Sequence, residues 1–199
     1  EPLPVPAPGP SVAPVTTRRF ELPVLGDFSV SPALPDTELT TVRSPRLRAG
    51  KGSVAFFAVA RPRVPVRCIA QVRLGLPVEG WTDSAGEELA VYPSQVVNAF
   101  RKRNGDRYGY SGSLLDVRPR ATFVGHVEGW AEWDVTAIVK RWVGGVFPSR
   151  GMRVPRKGPV VLALRDADGA EPLVRVAVGS VEAPRPPAVV ARVEKECPG

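Results

Sequence analysis

Three groups of side chains have the types and spacing to do chemistry. The first is a set of carboxylates, Glu128, Glu132 and Asp134. At even spacing along an extended strand they would share one face, and two carboxylates in proximity are what glycoside hydrolysis requires. A plainer assignment accounts for the same residues, with Asp134 capping a helix and Glu128 and Glu132 solvated. The expectation is therefore a non-catalytic chain. The second group, Asp166-Ala167-Asp168-Gly169, offers two carboxylates to a structural calcium. It lacks the further ligands and the downstream bidentate glutamate of a calcium loop, and an Asp-Gly hairpin turn explains it with less. No cofactor is expected, calcium being the alternative. The third group is Arg101, Arg103 and Arg107 with Tyr108 and Tyr110, loosened by Asn104-Gly105 and Gly109. Guanidinium groups grip carboxylates or sulfates bidentately and tyrosine faces stack on sugar rings. These five residues are the candidate ligand loop for an acidic glycan; a solvated loop or an acidic protein neighbour would use them equally. Trp81 and Trp130 are further candidates for stacking, with core packing as their alternative.

The thiol and imidazole inventory is short: Cys68, Cys197 and His126. It cannot supply a Cys/His zinc site, and nothing local places His126 against a nucleophilic cysteine. Two readings of the cysteines remain, two unpaired thiols or one disulfide tying the C-terminal tail to a strand. The disulfide Cys68–Cys197 is the expectation.

These residues need a scaffold, and composition narrows it. In 199 residues, 43% hydrophobic, there is room for one domain with a real core. The 23 prolines and 19 glycines argue against a helical protein and for strands and turns. No apolar run approaches the ~18 residues of a membrane helix, so no membrane insertion is expected. The formal charge of +7 comes from 27 basic residues, arginine far outnumbering lysine, scattered without a contiguous basic block. A nucleic acid partner is not expected.

Residues 1–19 read as a Pro-rich arm and 20–199 as the domain. Proline stands at every even position from Pro2 to Pro10, which holds the segment near polyproline II. Along a strand this leaves backbone donors on one side only, at Leu3, Val5, Ala7 and Gly9. Such an arm can add to one sheet edge of a neighbouring subunit while refusing a second partner; a solvated spacer is the alternative. No charged and apolar secretory leader is visible in this stretch, so an exported protein would be in its mature form.

From Phe20 onward the pattern predicts strands at 53–60, 67–78, 88–93, 121–131, 159–165, 173–179 and 188–194. In 67–78, Cys68, Ala70, Val72, Leu74 and Leu76 are expected on the buried face. Seven or more short strands separated by turn residues predict an all-β, antiparallel two-sheet sandwich, jelly-roll-like, with one short helix. That helix is predicted between Trp133 and Gly145, where Val135, Ile138, Val139 and Trp142 form an apolar stripe, Asp134 caps the start and Gly144 or Gly145 the end. Asp134, Thr136, Ile138 and Trp142 are its structural residues, with Trp142 a core anchor.

The segment Trp133-Asp134-Val135-Thr136, continuing to Trp142 and Gly144, resembles the signature of the DNRLRE domain family. Ser149-Arg150-Gly151 stands where that family has an Asn-x-Gly turn. Ser180, Glu182 and Ala183, followed by Arg185 and Pro186, match its Ser-x-Glu-Ala and Arg-Pro elements, and Cys68–Leu76 looks like its buried strand. The likeness spans roughly residues 26–194. It implies a secreted bacterial β-sandwich akin to carbohydrate-binding modules, acting outside the cell or at its surface. Two functions are compatible with these features. The favoured one is a structural subunit of an extracellular assembly or filament, self-associating through the arm. The alternative is a carbohydrate-binding module for a plain or acidic polysaccharide.

Overall fold

The computed structural model describes residues 16–30, 46–94, 102–103, 107–108, 120–145, 158–167 and 174–197. The strongest apolar alternation in the sequence forms the central strand of the larger sheet, β5 (Ile69–Glu79) in a series numbered along the chain. It buries Val72, Leu74, Leu76 and Val78 and leaves Gln71, Arg73, Pro77 and Glu79 on the outer face. On one side it pairs with β10 (Trp130–Asp134), which pairs with β9 (Thr122–Val127). On the other it pairs with β13 (Ala188–Glu194), and β1 (Thr17–Leu22) forms the edge beyond. The last residues of β5 also pair with β12 (Val176–Gly179), and β12 with β3 (Arg46–Ala49), completing seven antiparallel strands. The smaller sheet runs β2 (Val24–Val30), β4 (Val54–Val59), β11 (Val160–Asp166), β6 (Leu89–Pro93), again antiparallel. The protein is thus an all-β two-sheet sandwich. A separate pair of two-residue strands, β7 (Lys102–Arg103) and β8 (Arg107–Tyr108), stands apart.

The core between the sheets holds Phe57, Leu74, Leu76, Trp133, Ile138, Trp142 and Leu162, all buried, while Phe28 and Phe56, also buried, stack on one another at 4.7 Å on the opposite face of the smaller sheet. Trp133 and Trp142 are fully enclosed. Burying such side chains is worth roughly 1.5–3 kcal/mol each for the aliphatics and Phe, and this is what holds the two layers together.

Helix α2 (Thr136–Gly144) closes one end, with Ile138, Val139 and Trp142 inward. The Asp-Val-Thr sequence before and at its start is a clamp onto β5. Asp134 Oδ1 accepts the Thr136 N–H at 2.9 Å, the Val135 N–H donates to Val72 O at 2.9 Å, and Thr136 Oγ1 accepts the Val72 N–H at 2.8 Å. Asp134 precedes the cap position, which Val135 holds, yet it satisfies the first free N–H of the helix. At the far end Arg61 donates to the carbonyls of Trp142 and Val143 at 3.2 and 2.8 Å. A disulfide joins Cys68, buried in the 3-10 turn just before β5, to Cys197 past the end of β13, with Cα atoms 5.7 Å apart.

Four local expectations need correction. The sandwich begins at Thr17 rather than Phe20, because after Pro14 no proline interrupts the ladder until Pro23, and Thr17, Arg18 and Arg19 pair with Glu194, Val193 and Arg192. Ala70 is exposed and Ile69 buried, the reverse of strict alternation, because the register with β13 shifts there, Arg192 facing Gln71 and Val193 facing Ile69. The segment 121–131 is two strands of a hairpin, not one strand. Glu128 and Gly129 turn with φ of 48° and 73°, both in the left-handed region that a two-residue hairpin loop demands. Finally, one helical turn, α1 (Ala85–Glu88), precedes β6 where no helix was expected.

Candidate functional site

The outer face of the seven-stranded sheet carries the polar side chains that strand alternation turns away from the core. Cross-strand register aligns them in rows. Arg19 faces Arg192, and Arg192 faces Gln71. Glu21 faces Val190, and Val190 faces Arg73, itself opposite Asp134. Ala188 faces Gly75, which faces Glu132. These rows line a hollow of about 260 Å³, with Trp130 at one end.

A hydrogen-bonded chain sets the geometry of that hollow. Trp130 Nε1 donates to Glu132 Oε1 at 3.2 Å, and Arg73 Nη1 donates to Glu132 Oε2 at 3.2 Å. The indole lies over Gly75, where any Cβ would overlap its six-membered ring, so glycine is required in mid-strand here. Over the indole sits the Arg185 guanidinium, 4.3 Å from the ring centroid. Beyond this stack, along the same face of β5, a second and more apolar hollow of about 480 Å³ lies among Pro77, Ala177, Gly179 and Pro184. The Arg46–Glu79 ion pair, at 3.2 Å, borders it.

Charge on this face is uneven. Arg73 is tied to Glu132, whereas Arg19 and Arg192, directly opposite one another, have no ion-pair partner among the described residues. Like charges paired across strands repel, and an anion set between them would remove the repulsion. Asp134 is already committed: burial raises its carboxyl pKa, but the Thr136 hydroxyl and N–H, the Gln71 amide and the Arg73 charge outweigh this and hold it below the usual carboxylate range. Its role is to anchor the helix.

The turn carrying Arg185 is built from Ser180-Val181-Glu182-Ala183. Ser180 Oγ accepts the Glu182 N–H at 3.1 Å, and Ser180 O accepts the Ala183 N–H at 3.0 Å. Asp27 Oδ2, from β2 of the other sheet, accepts the Val181 N–H at 2.6 Å. The turn that brings Arg185 over Trp130 is therefore held by both sheets.

The carboxylates singled out in the sequence do not converge. Glu128 sits in the exposed hairpin turn, off the strand that carries Glu132 and Asp134, and those two are engaged with Arg73 and Trp130 and with Thr136 and Gln71 respectively. Asp166 receives the N–H groups of Lys51 and Gly52 on its two carboxylate oxygens, at 3.0 and 2.6 Å, pinning the turn between β3 and β4; Asp168 lies outside the described residues. No group of three metal-ligating side chains occurs among the described residues. Trp81 is packed, stacking on Phe123 and His126 at 5.5 and 5.1 Å, with its edge to Trp133 at 5.8 Å. In the candidate loop, Arg103 pairs with Arg107 and Tyr108 with Lys102 in β7 and β8, while Arg101 and Tyr110 lie outside the described residues. So do Leu3, Val5, Ala7 and Gly9 of the arm and the turn Ser149-Arg150-Gly151.

Sequence reasoning missed Arg73, Gln71, Arg192 and Arg185 as site residues. The signal for the first two was their place on the polar parity of the central strand, and Gly75 among them marked a close approach. No family model matches the chain, and no curated protein matches it. Among the described residues no helix is long and apolar enough to cross a membrane.

Proposed function

We propose that the protein is a non-catalytic carbohydrate-binding module that holds an acidic polysaccharide along the outer face of its larger sheet, outside the cell. The observation that carries this reading is the hollow in which Arg73, Glu132 and Trp130 form one hydrogen-bonded set beside the opposed pair Arg19 and Arg192. Guanidinium groups recognise carboxylate or sulfate bidentately, and the indole supplies an apolar surface for a sugar ring. Affinity electrophoresis in gels containing polygalacturonate, alginate or a neutral glucan tests it. Retardation by an acidic polymer, lost in Arg73→Ala and Trp130→Ala, is the expected result. Unretarded wild-type protein in every gel would reject the reading.

A second reading, the structural subunit, has one observation in its favour. β1 follows directly on the Pro-rich segment and is an edge strand of the larger sheet, pairing with β13 alone among the described strands. Residues 1–15 of one copy lying along such an edge in another would build an assembly by strand addition. Light scattering on the full chain and on a chain lacking residues 1–15 decides it: assembly lost on deletion supports this reading, and a monomeric full chain rejects it.

A further inference from the structure

We infer that Arg185 is the residue by which the groove separates acidic from neutral sugars, acting as an exchangeable cover on Trp130. The inference rests on the glycan-binding reading above and assigns the discrimination to one side chain.

The indole of Trp130 has its inner face on Gly75 and its outer face beneath the Arg185 guanidinium. Its edge is fixed by Glu132, which Arg73 holds in turn. The floor is the backbone of the central strand, and the edge is held by the Arg73–Glu132 pair. The cover differs: Arg185 is exposed and projects from the turn after Ser180. That turn is anchored through Asp27 and Val181, so its backbone stays beside the groove while the side chain is free to swing. A sugar ring stacking on the indole must take the guanidinium's place, and the cation–π attraction is then lost. A neutral ring returns only single hydrogen bonds to uncharged hydroxyls. A uronate or sulfated ring returns an anion, which the guanidinium can grip bidentately from the rim. The same side chain thus opposes neutral sugars and rewards acidic ones, a specificity made as much by exclusion as by attraction.

The test is calorimetric titration of the full chain and of Arg185→Ala with polygalacturonate and with the same polymer after reduction of its carboxyl groups. Wild-type protein should prefer the acidic polymer. In Arg185→Ala that preference should shrink by roughly threefold to tenfold, with affinity for the neutral polymer rising as affinity for the acidic one falls. Arg185→Lys, which keeps the charge but not the planar fork, should lie between them. Without ligand, acrylamide quenching of tryptophan fluorescence should increase in Arg185→Ala, because Trp133 and Trp142 are fully enclosed, Trp81 stacks on Phe123 and His126, and Trp130 is the indole that Arg185 covers. An unchanged preference, or an equal loss on both polymers, would overturn the role of Arg185 while leaving the groove a glycan site. Wild-type protein that binds neither polymer would overturn the glycan reading, and the inference with it.

Discussion

Asp27 and Val181 link the two sheets: the carboxylate of one sheet's edge strand accepts, at 2.6 Å, the backbone N–H of the turn from which Arg185 reaches over Trp130. Burial pushes the Asp27 pKa up to about 6, the Val181 N–H opposes this, and the nearby Glu182 charge adds to it. The fold therefore favours the protonated form. Its contribution to stability is complete below the unfolded value near 4 and is lost as pH rises through about 6. Asp27→Asn keeps an acceptor for Val181 and removes the charge. It should be more stable than wild type at pH 7 by ~1–3 kcal/mol and indistinguishable near pH 4. Urea melts at the two pH values check both halves.

The clamp between α2 and β5 gives an ordered pair of effects. Trp142→Ala should cost about 3–5 kcal/mol, since the side chain is fully enclosed and a cavity would remain. Asp134→Ala should cost less, ~0.5–2 kcal/mol. Because the Asp134 carboxyl lies below its usual range, its contribution is present above about pH 4 and fades as pH falls through its folded value. Denaturant melts showing Asp134→Ala the more damaging change would contradict the packing described.

The disulfide spans a separation of 129 residues. Chain-entropy reasoning for a loop of that size gives near ~5 kcal/mol, with measured losses on removing native bridges usually ~2–5 kcal/mol. Cys68→Ser with Cys197→Ser should lower stability within that range. Thiol titration of denatured, unreduced protein should find no free thiol.

Gly75→Ala should leave the sheet intact and displace Trp130 from its seat. Affinity for polygalacturonate should fall by about tenfold, with a stability loss of ~1–2 kcal/mol as the part-buried indole gives up its Glu132 hydrogen bond and its Arg185 stack. Parallel calorimetry and melts separate the two effects.

The sandwich was legible in the sequence because its strands announce themselves by alternation: the strand at 188–194 was predicted residue for residue, and those at 54–59 and 89–93 to within a residue. The apolar stripe likewise located the helix. Shifts of register were not legible. Ala70 looks like a buried small residue until the pairing with β13 slips at Arg192, and the hairpin at Glu128-Gly129 lacks the Asn-Gly or Asp-Gly that usually marks such turns. The groove was harder still, since it gathers Arg19, Arg73, Trp130 and Arg192 from four strands. Parity showed that Arg73 points outward; only the strand order reveals which outward residues are neighbours.

The most direct measurement of the central claim is a titration of ¹⁵N-labelled protein with oligogalacturonate, followed on the indole N–H signals of its four tryptophans. Trp130, whose Nε1 donates to Glu132 in the groove, should shift progressively with ligand, while the enclosed Trp133 and Trp142 stay in place. Four unmoved signals, or a shift confined to Trp81 in the internal aromatic stack, would contradict a glycan site on this face.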